Sequence, residues 1–405
     1  MREKVVIIGG SITGTYTMIE LVKNKFDGDI TIIDKKDVLP YNTYPLSKEW
    51  MLDKEEMDPP LLKEKEYYEK NNINLKLNTK VDSINWKEQT VTTDSNETIP
   101  YDHLVIATGS KLRKLSLPGD DAKGIFYLRE FKDAIAIKKW SKNIKDIVIV
   151  GTGFIGLEFA STFRQLGKNV SVLVRSGKPL EKILGGEASE YFTKMHQDHG
   201  VNFIFNEETA EFIKDENGNI ASILTKTGKT IKCDMAIIAV GVGPNLSFEV
   251  DSLGMEKGAI IVNEYGETSL PNIYSGGDIT MWPYNGRLVH IEHWENAWGQ
   301  AISIARNILN EKSSEYKEEP YFWTDQYDQT FEYLGNTRSW DNIFIRGSLN
   351  EKEFALAYLD ENNYPLAILF ANKFEKRKDI DTLLKSKKAL SETKFTDVSI
   401  ALDEM

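Results

Sequence analysis

Cysteine is almost missing from this chain: a single residue, Cys233, stands among 405. That excludes an internal disulfide framework and any Cys-x-x-Cys redox pair. Long apolar runs are missing too, since no stretch approaches the roughly 20 consecutive apolar residues that cross a bilayer. The N-terminal run Val5 to Ile8 is too short for a signal peptide and ends in Gly9-Gly10, as a strand entering a turn does. Cytoplasm is therefore the expected compartment. Histidine is scarce, and neither close pair, His196 with His199 or His290 with His293, brings an obvious third ligand, so no metal site is expected. Positive charge is in deficit. A formal net charge of −12 argues against general affinity for nucleic acid or an anionic membrane, because like charges repel at a distance.

What is present is a repeated unit. A chain of 405 residues is too long for one core, so two or three domains are expected. Val5 to Ile8 is an all-apolar run of the kind a buried parallel strand needs. Helical spacing follows over Thr15 to Lys25, and a β-branched strand, Ile30 to Ile33, ends at Asp34. The same series recurs as strand Ile147 to Val150, turn Gly151 to Gly156, helix Leu157 to Leu166 and strand Val170 to Val174. Each copy is followed by alternating segments, Asn74 to Ile99 and Val201 to Lys232, that read as antiparallel meanders. Each then closes on an apolar strand running into glycine, at Thr108-Gly109 and at Gly241. Two such copies imply two dinucleotide-binding domains.

In the second copy Gly151, Gly153 and Gly156, with Phe154 and Ile155 between, complete the G-x-G-x-x-G spacing. The first glycine permits the tight turn, the second lets a pyrophosphate approach the backbone, and the third lets helix and strand pack closely. The helix N-terminus then offers amides and a positive dipole end to the phosphates. The first copy departs from this pattern: Gly9 and Gly14 are in place, but Ser11, followed by Ile12, stands at the middle glycine position. Its hydroxyl can donate to a pyrophosphate, while its Cβ crowds the approach. Asp34, with Lys35 after it, closes the second strand where an acid accepts from a ribose hydroxyl. The second copy has Val174 at that place, followed by Arg175, Ser176 and Lys178. Arg175 and Lys178 can pair with a 2′-phosphate, which favours NADPH over NADH; the plainer reading is two surface cations at a strand end.

These turns resemble the pyridine-nucleotide–disulfide oxidoreductase superfamily. So do Tyr101 to Gly109, Glu158 after the second turn, and Ser275-Gly276-Gly277-Asp278. Three further motifs, Pro40 to Lys48, Ile291 to Ala297 and Tyr321 to Asp328, are similar to oxygenase-coupled ferredoxin and rubredoxin reductases, and apoptosis-inducing-factor-like proteins share much of the pattern. The resemblance implies an α/β fold: two doubly wound, Rossmann-like, three-layer dinucleotide-binding domains plus a small C-terminal α+β domain. It implies an FAD domain at 1–112 and 243–322, an NAD(P)H domain at 113–242 and a C-terminal domain at 323–405.

By the same resemblance, Asp278 holds the ribityl and pyrophosphate region of FAD, Arg129 contacts the FAD, and the Val81 backbone meets its adenine. Trp294 lies against the isoalloxazine, and Lys48 and Glu158 pair beside flavin N5 and the nicotinamide. The implied activity is hydride transfer from NADPH, with NADH less favoured, to FAD. One-electron transfer to a ferredoxin- or rubredoxin-like carrier follows. The alternative is a slow NAD(P)H-sensing flavoprotein or oxidase of the apoptosis-inducing-factor type. No nucleic-acid or membrane partner is expected, and a homodimer is left open. The basic stretch Lys373 to Lys388 reads as a helix with a solvated face or as a docking surface for the carrier.

Overall fold

The apolar run at the N-terminus is buried on both faces, and it seeds the first sheet. The computed structural model describes residues 2–53, 58–248 and 250–405. Glu3–Ile8 pairs in parallel with Gly28–Ile33 on one side and His103–Ile106 on the other. Asn74–Lys76 and Ile273–Ser275 extend the sheet at its two edges, also in parallel. A second all-parallel sheet repeats this plan around Asp146–Val150. Its neighbours are Asn169–Val174 and Met235–Ile238, with Asn202–Phe205 and Ile125–Phe126 at the edges. Helices Ile12–Lys23 and Phe154–Gln165 follow the two central strands.

The contacts divide the chain into two compact units. One comprises Met1–Asn42, Asp58–Lys111 and Val242–Pro320; the other comprises Thr43–Met57, Leu112–Gly241 and Tyr321–Met405. Within the first, the helix Ile12–Lys23 packs along Trp294–Leu309, with Thr13 donating to the Ala297 carbonyl at 3.2 Å. Within the second, residues 321–405 build a five-stranded antiparallel sheet, its strands in the order 321–326, 329–335, 365–371, 353–359 and 342–348. Its core closes on Ile380, Leu383, Leu384 and Phe395 from the helices that follow. The mixed α/β fold with parallel sheets and a sheet-rich C-terminal region agrees with the expected class.

Two local readings differ. Asn74–Lys76 and Asn202–Phe205 belong to the parallel sheets, and only 81–100 and 209–232 form separate three-stranded antiparallel sheets. Both short strands are edge strands of their sheets, placed directly before the antiparallel segments in the chain. Among the described residues no helix is long and apolar enough to cross a membrane.

Candidate functional site

The two glycine turns are built alike. Gly9 and Gly151 take φ of +107° and +121°, and a Cβ on either would collide with a carbonyl oxygen, that of Ala107 or of Ala239. Gly14 and Gly156 sit against the carbonyls of Gly9 and Gly151, so their helices start hard against the strands. At Gly153, by contrast, an added Cβ would meet no protein atom within 4 Å. Packing does not require glycine there, and the open space over the backbone would admit a phosphate.

Ser11 is the N-cap of Ile12–Lys23, yet its hydroxyl makes no capping hydrogen bond. Ile12 is buried beside it. Asp34, only 4% exposed, accepts from the Gly10 amide at 2.7 Å and from the Lys36 amide at 3.0 Å, which fixes its carboxylate at the turn; Lys35 is exposed. Thr108 and Gly109 follow the strand His103–Ile106. Thr108 Oγ1 is buried with no hydrogen-bond partner among the described residues. Gly277 packs on Thr13 at the start of the same helix, and the next residue, Asp278, accepts from Ser110 Oγ at 2.7 Å. An orphaned hydroxyl, an uncommitted serine and a fixed carboxylate around a helix N-terminus suit a dinucleotide, so these residues fit FAD. In the same unit Trp294 donates to Asn42 Oδ1 at 3.2 Å, meets Tyr16 edge-on and stacks with Trp298. Val81 opens an antiparallel strand and is buried. Arg129 lies in the second unit, its amide donating to Asp133 Oδ2 at 3.0 Å.

In the second unit Val174 ends its strand and Arg175 and Ser176 lie exposed beyond it. Arg175 faces Glu208 electrostatically, and the Lys178 ammonium pairs with Glu190. Gly241, at φ +96°, accepts from the Arg113 amide through its carbonyl. Phe154 packs on Phe322 at 4.6 Å between ring centres, and Ile155 is exposed.

Lys48 and Glu158 come together in this unit, both under 10% exposed. Lys48 Nζ lies 3.9 Å from Glu158 Oε1 but 3.0 Å from Asp325 Oδ2. The Glu158 oxygens are taken by hydroxyls, Ser47 at 2.6 Å and Thr324 at 2.8 Å. Burial pushes the Glu158 carboxyl above its ordinary range, against the pull of Lys48 and of the two hydroxyls, while Asp325 adds to the rise. Residue reading alone missed Ser47, Thr324 and Asp325 as members of this cluster. The signal was there: all three fall in the two motifs, Pro40 to Lys48 and Tyr321 to Asp328, that mark the reductase branch.

Residues 3–301 match the pyridine nucleotide-disulphide oxidoreductase family, and residues 321–405 match a reductase C-terminal family. The chain belongs to the pyridine nucleotide-disulphide oxidoreductase family. It is 31% identical over 355 residues to rhodocoxin reductase of Rhodococcus erythropolis, covering 87% of this chain and 82% of that protein. Against putidaredoxin reductase of Pseudomonas putida the figures are 29% over 391 residues, 94% and 92%. A solved structure of the covalent putidaredoxin reductase–putidaredoxin complex superposes with a TM-score of 0.94 at 28% identity, covering 99% of this chain and 97% of that one. As a member of this family the protein is an oxidoreductase, and membership implies FAD and NAD(P)H.

Proposed function

We propose that the protein is an FAD-dependent NAD(P)H reductase, favouring NADPH, that passes electrons singly to a small carrier of the ferredoxin or rubredoxin type. The state of Cys233 carries this reading. It is the only cysteine, 3% exposed, and burial together with Asp234 and Asp146 pushes its thiol up to about 12. A thiol held protonated is a poor nucleophile, so thiol–disulfide exchange has no group to run on and the electrons must leave another way. Similarity to two carrier-coupled reductases over most of the chain supports that exit.

When bound, FAD accepts hydride from the reduced nicotinamide and can release electrons one at a time. The residues do the rest. Ser11, Thr108 and Asp278 would hold the FAD, Asp34 and Lys35 would serve its ribose, and by the resemblance Arg129, Val81 and Trp294 would serve the same group. Gly151 to Gly156 cradle the second pyrophosphate, and Gly241 lines that nucleotide site. Arg175, Ser176 and Lys178 receive a 2′-phosphate, for which Lys178 must release Glu190. Lys48, its ammonium held by Asp325 at 3.0 Å and 3.9 Å from Glu158, would favour negative charge on the flavin ring, and Glu158 would line the nicotinamide site. The domain division at 1–112 with 243–322, 113–242 and 323–405 is part of the same proposal.

The test is to reduce the purified flavoprotein with NADPH under anaerobic conditions, then add ferredoxin or rubredoxin and follow flavin reoxidation. Fast reoxidation by a carrier is expected. Reoxidation that ignores every carrier tried would favour a slow NAD(P)H sensor or oxidase instead.

A further inference from the structure

The Lys48 ammonium sits between two carboxylates, and the nearer is the one on the C-terminal hairpin. Asp325 Oδ2 accepts from Nζ at 3.0 Å, within hydrogen-bond range; Glu158 Oε1, at 3.9 Å, is not. The other Asp325 oxygen accepts from Thr330 Oγ1 at 2.8 Å, which anchors the carboxylate to the hairpin formed by 321–326 and 329–335. The rings of Tyr44 and Trp323, 5.7 and 5.3 Å from Nζ and packed edge to face, border the ammonium. Glu158 is meanwhile satisfied by the hydroxyls of Ser47 and Thr324 and makes no hydrogen bond to Lys48.

We propose that Asp325 is a positioning residue: it draws the Lys48 ammonium off Glu158 and thereby sets the pH at which Glu158 ionises. The proposal rests on the reading that Lys48 and Glu158 serve flavin reduction. Two effects of Asp325 act with one sign. It keeps the stabilising cation out of hydrogen-bond range of Glu158, and its own negative charge disfavours a second carboxylate nearby. The charged groups facing Glu158 are Lys48 and Asp325, and its remaining polar neighbours, Ser47 and Thr324, are neutral. A carboxyl buried beside one cation that is shared with a second anion is therefore held less firmly in its charged form. Three elements distant in sequence build this arrangement: the turn 44–47 with Lys48 after it, the helix Phe154–Gln165 and the strand Tyr321–Gln326.

Asp325→Asn tests it in the full-length, flavin-loaded protein, because the amide oxygen can still accept from Thr330 while the charge is gone. Infrared difference spectra taken across pH follow the Glu158 carboxyl, with Glu158→Gln identifying its band, and stopped-flow NADPH reduction is recorded on the same samples. The Glu158 midpoint should fall by about one pH unit or more in Asp325→Asn. It should return toward wild type in Asp325→Glu, a recovery that a merely structural role would not give. An unchanged midpoint in a folded Asp325→Asn protein overturns the proposal, and Asp325→Ser stands in should the amide fail to fold. Lys48→Gln adds an independent arm: in that background the Asp325→Asn shift should shrink, and equal shifts with and without the lysine would mean that Asp325 does not act through it. If the band moves as expected while the reduction rate ignores Glu158→Gln, positioning by Asp325 stands and the role of the cluster in flavin reduction falls.

Discussion

His196 shows what one buried side chain does to stability. It has no exposed surface, and both ring nitrogens are engaged, Nδ1 with the Tyr327 hydroxyl at 2.9 Å and Nε2 with Gln326 Oε1 at 2.8 Å. Burial pushes it down to about 4 from 6.5, with Gln326 opposing the fall and His199 adding to it. The unfolded chain therefore binds a proton below about pH 6.5 that the folded chain refuses until about pH 4, so stability is lost as pH falls through this window. Between pH 6.5 and 5 the loss should be about 1.5 kcal/mol. His196→Gln should remove that share of the slope, and His293, also pushed down to about 4, should keep its own. Unfolding measured across this range checks it, and an identical slope in the variant would show that His196 does not titrate on unfolding. The surface residue Arg175 acts on affinity instead. Arg175→Ala should weaken NADPH by about 1.5–3 kcal/mol, the range for a hydrogen bond to a charged group, and leave NADH nearly unchanged. Binding titrations with both nucleotides decide this, since equal losses would place the 2′-phosphate elsewhere.

At the scale of elements, the second glycine turn separates packing from binding. Gly156→Ala brings a Cβ to 2.6 Å from the Gly151 carbonyl oxygen, a backbone contact that can yield only by moving helix from strand. Overpacking of this kind costs about 1–3 kcal/mol. Gly153→Ala meets nothing of the protein, so it should leave the melting temperature alone and weaken nucleotide binding. A Gly153→Ala protein that binds NADPH as wild type does would mean that the pyrophosphate does not approach this residue. These turns were legible because glycine spacing states a local steric demand. The helices were placed less well: they begin at Ile12 and Phe154, one turn before the helical spacing of Thr15 and Leu157, because the turn residues themselves form the first helical turn. The short strands Asn74–Lys76 and Asn202–Phe205 are three and four residues long and run straight on into the antiparallel segments, so nothing local separates a parallel edge strand from the first strand of a meander.

At the scale of the molecule, the repeated unit and its family were legible in order along the chain, whereas of the Glu158 cluster the resemblance supplied only the Lys48–Glu158 pairing and not Ser47, Thr324 and Asp325. Its contacts join residues 111, 166 and 277 positions apart, a closeness that no local pattern encodes. The basic C-terminal stretch is a case between the two. Lys373, Lys376 and Lys378 are exposed around the start of the helix Arg377–Ser386, but Arg377 lies over the Tyr321 ring at 3.6 Å and Lys385 pairs with Asp381 at 2.9 Å. All of these cations are exposed, but Arg377 and Lys385 also hold a ring and a carboxylate, so Lys376 and Lys378 are the ones whose reversal changes charge without breaking those contacts. Small electron carriers are commonly acidic, and a chain of net charge −12 would repel them without a local positive patch. Lys376→Glu with Lys378→Glu, leaving Arg377 on its ring, should therefore slow second-order carrier reduction about tenfold at low salt. The difference should fade as added salt shortens the Debye length, and flavin reduction by NADPH should not change. Stopped-flow rates over a salt series measure all three, and a double variant that reduces its carrier at the wild-type rate in low salt would place the docking surface away from this helix.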